Sequence, residues 1–246
     1  MSAMRARALC VASLLLLAAC DEAPARDLDA SVAPPRILEV DAPAPVLAGT
    51  VVAVSGVSLD RLGADPVLAV EVAGVVHELA SVPHAVSGEL LFEVSDALVA
   101  DLGEGSATLA LRVRGEGLAS DPFEVTWEIA TSLTVSLEAA PSGDVHRNDV
   151  LVLRGGGFSS PSEGELVMHL EGTFARDAGG SSAIDVRLPV SLAERGARDR
   201  GVVVLTTDVG GVWPGTFTGT VRLASTLRGG STSSTDPVST SLRFLR

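Results

Sequence analysis

From residue 36 onward the chain alternates apolar and polar residues in short runs, and clusters of Gly, Pro, Asp and Ser separate the runs. Phe123, Val125, Trp127 and Ile129 fall on one side of such a run, with Glu124, Thr126 and Glu128 on the other. Leu109, Leu111 and Val113 alternate with Thr108, Ala110 and Arg112, and Ile184, Val186, Leu188 and Val190 with Asp185, Arg187 and Ser191. A period of two belongs to a strand with one wet face, because successive side chains leave the pleat on opposite sides. Val and Thr, whose branching suits a pleated surface, are frequent, and few stretches sustain a helical period. The pattern predicts an all-β protein.

The pattern also repeats. Val51 to Leu59 lie over Val150 to Phe158 at an offset of 99, and Leu68, Val70, Val72 and Gly74 over Leu166, Met168, Leu170 and Gly172 at 98. At 112, Leu90 and Phe92 meet Val202 and Val204, and Leu109 and Leu111 meet Val221 and Leu223; at 115, Asp121-Pro122 meets Asp236-Pro237. An ordered series of offsets that grows through insertions means two copies of one unit. The copies span 36–130 and 131–246, each with room for about seven short strands, which is the spacing of an immunoglobulin-like sandwich. The stretch Asp149-Val150-Leu151-Val152-Leu153-Arg154-Gly155-Gly156-Gly157-Phe158 resembles the early strand and turn of IPT/TIG domains, where an alternating strand runs into Gly-x-Gly-Phe. In the first copy Gly56 is kept, but Val57, Ser58 and Leu59 stand in place of Gly156, Gly157 and Phe158. The resemblance implies two tandem antiparallel β-sandwiches and a habit of mediating contacts; it implies no reaction.

The chain start has a different pattern. Arg5 and Arg7 precede an apolar stretch from Ala8 to Leu17, which is too short to span a bilayer core of about twenty helical residues. It ends in Leu17-Ala18-Ala19-Cys20, which resembles the lipobox of bacterial lipoproteins. That resemblance implies a signal peptide over 1–19, cleavage before Cys20, and acylation of Cys20 as a membrane anchor. Two or more acyl chains suffice for stable anchoring. Residues 20–35, rich in Ala, Pro and acids, read as a flexible, solvated tether. Export to the outer membrane or cell surface is the favoured expectation. Asp21, which resembles the inner-membrane retention signal of enteric lipoproteins, keeps a periplasm-facing inner membrane open.

Composition narrows the chemistry. All eighteen basic residues are Arg, and beyond residue 19 sixteen of them face thirty-one acids, a net charge of −15. Nucleic acid is not an expected partner, because affinity for it comes from basic phosphate contacts. The charge is uneven: residues 36–130 carry −11 and residues 131–246 carry −1. With Cys10 in the signal and Cys20 spent on lipid, no disulfide is available, so stability must come from the cores.

Little else points to a reaction. His77, His84, His146 and His169 show no His-x-x-x-His spacing, so no metal ligand set and no cofactor is expected. The loop acids Asp60, Asp65, Asp96, Asp101, Glu104 and Asp121 could bind calcium, but none forms an Asp-x-Asp-x-Asp-Gly loop. Ser142 to Asp149 brings a Ser, a His and an Asp together, yet no Gly-x-Ser-x-Gly elbow is present and turns collect these residues for backbone reasons. No catalytic residue is assigned, and an envelope hydrolase is the least favoured of three readings. The leading reading is a non-enzymatic binding or adhesion module for a protein or polysaccharide partner; its alternative is a spacer or scaffold subunit. The second copy has fourteen extra residues between Gly172 and Gly201. Within that region Arg176 and Asp177, in a Gly/Ser-rich stretch read as a flexible loop, and Arg195, Arg198 and Arg200 are the candidate partner-binding residues, because loops held out by a sheet scaffold often recognise partners. Trp213-Pro214-Gly215 reads as a turn whose indole caps the core.

Overall fold

The structure, a computed structural model, describes residues 33–84, 86, 88–211 and 214–245. The apolar stretch, Leu17, Ala18, Ala19 and Cys20, most of the tether, and Trp213 lie outside the described residues.

The first copy supplies β1 (Arg36–Asp41), β2 (Val51–Val57), β3 (Val67–Val72), β4 (Val75–Val82), β5 (Glu89–Glu93), β6 (Gly105–Gly115), β7 (Leu118–Ala119) and β8 (Phe123–Ile129). Strands β1-β2-β5 make one layer and β4-β3-β6-β8 the other. Alternation turns Leu68 and Val70 of β3 and Leu109, Leu111 and Val113 of β6 inward to meet Val52, Val54 and Phe92 of the facing layer. The last residues of β4, Ser81 and Val82, cross over to pair with β5, so one corner strand joins the layers. A short helix that alternation did not predict, α1 (Asp96–Leu102), follows β5; the Ser95 hydroxyl caps it by accepting from Leu98 N, and Leu98 and Val99 are buried.

The second copy supplies β9 (Ser136–Leu137), β10 (Gly143–Val145), β11 (Val150–Gly156), β12 (Gly164–Arg176), β13 (Ser181–Pro189), β14 (Ser191–Leu192), β15 (Arg200–Val204), β16 (Gly215–Leu227), β17 (Thr232–Ser234) and β18 (Val238–Phe244). Its layers are β9-β11-β15-β14 and β13-β12-β16-β18-β10. Pro189 ends β13 without a backbone donor for further pairing, and here the two layers stay separate sheets. Both copies thus have the strand order of an immunoglobulin-like sandwich. The buried residues form two clusters, one from Ile37 to Ile129 and one from Val135 to Phe244.

Among the described residues pairing is antiparallel apart from one parallel contact in each copy. Val46 bridges Ile129, and β10 runs parallel to β18. In each case the segment before the second strand has crossed to the layer of the last strand.

The paired registers revise the sequence alignment in the fifth strand. Val52 pairs with Phe92, and its counterpart Leu151 pairs with Val203, so Phe92 matches Val203 at an offset of 111 rather than Val204 at 112. A slip of one residue exchanges the faces of a strand, and the burial agrees with 111: Phe92 and Val203 are fully buried, whereas Val204 is half exposed. Offsets of 98 before the β12–β13 hairpin and 111 after it put the whole insertion, thirteen residues, in that hairpin.

Candidate functional site

Two features stand out, a buried joint between the sandwiches and a bare apolar sheet face on the second. The joint begins with Glu163, in the turn Ser160-Pro161-Ser162-Glu163 after β11. Its carboxylate accepts from Ser160 N at 2.8 Å and from the Thr50 hydroxyl of the first sandwich at 2.5 Å. Arg198 closes the cluster with both ends of its fork: Nη2 donates to Glu163 Oε1 at 2.7 Å and Nη1 to Oε2 at 3.0 Å. The same guanidinium donates to the carbonyl of Pro45 in the first sandwich at 2.7 Å and to that of Phe158 at 3.2 Å. Side-chain exposure is 9% for Arg198 and 2% for Glu163, so water cannot substitute for either partner. Burial pushes the Glu163 pKa up, but the Arg198 bonds and charge, the Thr50 hydroxyl and Ser160 N outweigh it and hold the carboxyl below its ordinary value. Gly49 completes the fit. At φ +82° it lies against Ser162, where a Cβ would stand 2.0 Å from the carbonyl oxygen.

Around this cluster the arginines of the second sandwich reach acids of the first. Arg195 Nη2 lies 2.9 Å from Glu89 Oε1, while Arg228 bonds Glu93 and lies 3.5 Å from Asp96. The charge asymmetry of the two copies is therefore partly complementary across the joint. Two clefts flank it. One, about 280 Å³, lies between α1 and Leu227-Arg228-Gly229; the other, about 340 Å³, lies between Val51 and Leu91 of the first sandwich and Leu192 and Arg195 of the second.

The remaining sequence candidates separate. Arg176 ends β12 and Ser181 starts β13, so the stretch read as a flexible loop is a paired hairpin with only Asp177 to Gly180 at its turn. It is ordered because Thr173, Phe174 and Ala175 pair with Ala183, Ser182 and Ser181, and because Phe174 is fully buried, edge-on to Phe244 at 5.6 Å. Asp177 is held by a two-pronged bond from Arg243, which lowers its pKa. Arg195 and Arg198 are turned into the joint, whereas Arg200 stays on an outer sheet face. Within Ser142–Asp149, Gly143 to Val145 form strand β10 and only His146 to Asp149 make a turn, in which Asp149 Oδ2 accepts from His146 N at 2.5 Å; His146 Nδ1 is 3.4 Å from the same oxygen. His77, His84 and His169 each lie within 3.1 Å of one carboxylate, of Asp101, Glu89 and Asp185 respectively. Among the described residues no group of three or more His, Cys, Asp or Glu is placed to hold a metal ion.

The bare face lies on β11 and β15. Val150 pairs with Val204, Val152 with Val202 and Arg154 with Arg200, and all six side chains point away from the core. Val150, Val152 and Val204 are 57%, 58% and 50% exposed. The two arginines stand directly opposite each other, an arrangement that costs stability in an isolated sheet. Among the described residues only Arg200 of the two has a carboxylate within ion-pair distance, Asp199 at 3.8 Å. Sequence reasoning picked out Arg200 but passed over Arg154 and the four valines as a contact surface, although the signal was present. The runs Val150-Leu151-Val152-Leu153 and Val202-Val203-Val204-Leu205 are apolar at consecutive positions, as in strands covered on both faces.

No protein-family model and no curated protein matches the chain. Among solved structures it is similar to the Bacteroides ovatus mixed-linkage glucan utilization locus protein SGBP-B in complex with a mixed-linkage heptasaccharide. Identity is 12% over 85% of this chain and 47% of that one, with a TM-score of 0.32. It is also similar to the FN1–FN3 domains of chicken CNTN1, at 10% identity over 87% and 66% of the two chains and a TM-score of 0.26. A two-domain fibronectin type III segment of chicken tenascin aligns at 16% identity over 85% and 98%, with a TM-score of 0.25. The chain spans about half the length of the first of these. Among the described residues no helix is long and apolar enough to cross a membrane.

Proposed function

We propose that this chain is an exported, lipid-anchored, non-enzymatic binding protein of the bacterial envelope, and that it holds a polypeptide partner on the outer face of β11 and β15. The valine face carries the reading. A protein with this much surface charge gains nothing in solubility from four adjacent valines on one sheet, and clustered exposed apolar surface marks a contact site. Valines and arginines without aromatic rings suit a polypeptide better than a sugar, which stacks on aromatic faces. The Leu17-Ala18-Ala19-Cys20 segment supports anchoring through Cys20, and the Gly155-Gly156-Gly157-Phe158 turn supports an IPT/TIG-type second sandwich. Location at the outer membrane or cell surface goes with that anchor.

The buried joint favours a second reading, a spacer that sets a fixed distance between anchor and partner. Both readings are tested by the size of the protein extracted from envelopes in mild detergent. Wild type is expected in a complex larger than the purified chain, and Val152→Asp at the size of the chain alone with an unchanged melting temperature. A wild type already at the size of the lone chain defeats the binding reading. A complex that survives Val152→Asp leaves the spacer reading and moves the contact elsewhere.

A further inference from the structure

The internal repeat gives the bare face a counterpart inside the same molecule, and that counterpart is occupied. By strand pairing, Val150, Val152, Arg154, Arg200, Val202 and Val204 correspond to Val51, Ala53, Ser55, Glu89, Leu91 and Glu93. In the first sandwich this face receives the loop between β14 and β15 of the second. Arg195 of that loop bonds Glu89, a Cβ on Gly196 would stand 3.2 Å from Pro43, and Leu192 and Arg195 share a cleft with Val51 and Leu91. Ala53, on the outer side of β2, is only 4% exposed. Among the described residues no loop is seated on the same face of the second sandwich, where Val150, Val152 and Val204 stay exposed.

The substitutions between the two faces state what the second would accept. Glu89, which takes the arginine, becomes Arg200. Ser55 beside it becomes Arg154, and Glu93, which takes Arg228, becomes Val204. The polarity of the contact is reversed and its apolar part enlarged. A second copy of this chain docked in the same way does not supply the complement at the position that reaches Glu89 in the joint. Its two candidate loops, equal in length, offer Arg195 in one sandwich and His84 in the other, where carboxylates are needed. A second sandwich repeating the joint would also press Ser162 onto Asn148, which stands where Gly49 leaves no room for a Cβ.

We propose that the β11–β15 face docks a loop of a different polypeptide that sets aliphatic side chains on the four valines and carboxylates on Arg154 and Arg200. The geometry is that of the contact already made within the chain, with its charges exchanged. This rests on the binding role proposed above and adds the docking geometry and the chemistry of the partner.

The test is site-specific photocrosslinking of the full chain in the cells that make it. Benzoylphenylalanine is placed at Val152, at Val202, and at Thr220 on the opposite outer face of the same sandwich, and linked peptides are sequenced by mass spectrometry. Links from 152 and 202, but not from 220, to another polypeptide at a site flanked by Asp or Glu are expected. Arg154→Glu with Arg200→Glu should lower their yield about tenfold at unchanged protein level. Links to a second copy, to this chain's own first residues or to lipid would overturn the proposal, as would an undiminished yield in the double variant. Links from 220 alone would overturn it and leave the binding role standing; no link from any position would remove both.

Discussion

Glu163 shows how much one residue depends on surroundings it cannot announce. In the sequence it is an acid in a Ser-Pro-Ser-Glu-Gly turn, a place where acids are ordinarily solvated. Its burial comes with the Thr50 hydroxyl and with Arg198, itself held by the Pro45 carbonyl; Thr50 and Pro45 lie more than a hundred residues away, and no local pattern carries that information. A buried ion pair costs desolvation that its mutual attraction offsets only with full hydrogen bonding, so removing one member leaves a charge with no compensation. Arg198→Ala is therefore expected to destabilise the second sandwich and its joint by about 3–5 kcal/mol in denaturant unfolding. Arg198→Met combined with Glu163→Met should recover most of that loss, since the apolar pair strands no charge. A double variant as unstable as the single one would mean that the cluster matters for shape and not for charge.

At the level of the elements, strands with clean alternation were legible and those without it were not. Strand β8, read as Phe123, Val125, Trp127 and Ile129 against Glu124, Thr126 and Glu128, puts Trp127 and Ile129 in the core. In β15 the run Val202-Val203-Val204 gives no face to choose, and the alignment by sequence slipped by one residue there. The hairpin of β12 and β13 failed for another reason. Gly179, Gly180, Ser181 and Ser182 have loop composition, but strand pairing and the Phe174–Phe244 contact override it. Deleting residues 173–183 would remove Phe174 from the core and abolish folding. Phe174→Ala alone should cost about 3–5 kcal/mol, whereas Gly179→Ser at the exposed turn, costing only the strain of its φ of +93°, should leave the cooperative melt in place. Thermal unfolding followed by circular dichroism distinguishes the two sites; a mild Phe174→Ala would mean that the hairpin is not part of the core.

Over the whole molecule, the repeat makes the two sandwiches comparable position by position, and the comparison separates what the joint needs from what it leaves free. Gly49 and Thr50 dock the first sandwich; Asn148 and Asp149, which keep the same turn, have no such neighbour among the described residues. The acids on the first sandwich's face are met by Arg195 and Arg228, and among the described residues the arginines and valines on the second's meet no side chain of the first sandwich. The sequence carried the number of sandwiches, their order and their charge. The meeting of the two, which decides which arginines are consumed and which remain available, arises only in three dimensions. Arg198 and Arg200 lie two residues apart on one connection, yet the first is sealed in the joint and the second is exposed.

The most direct test of the bare face as the working surface uses a thiol. With Cys10 in the expected signal and Cys20 expected to be acylated, Val152→Cys would add a single reactive thiol, and Thr220→Cys provides the same probe on the opposite face. Maleimide labelling is compared between native envelopes and purified protein. Protection of Cys at 152 in envelopes, with full reactivity after purification and full reactivity at 220 in both, is the predicted result. Equal labelling at 152 in both preparations would mean that the valine face is open where the protein works, and would contradict the account.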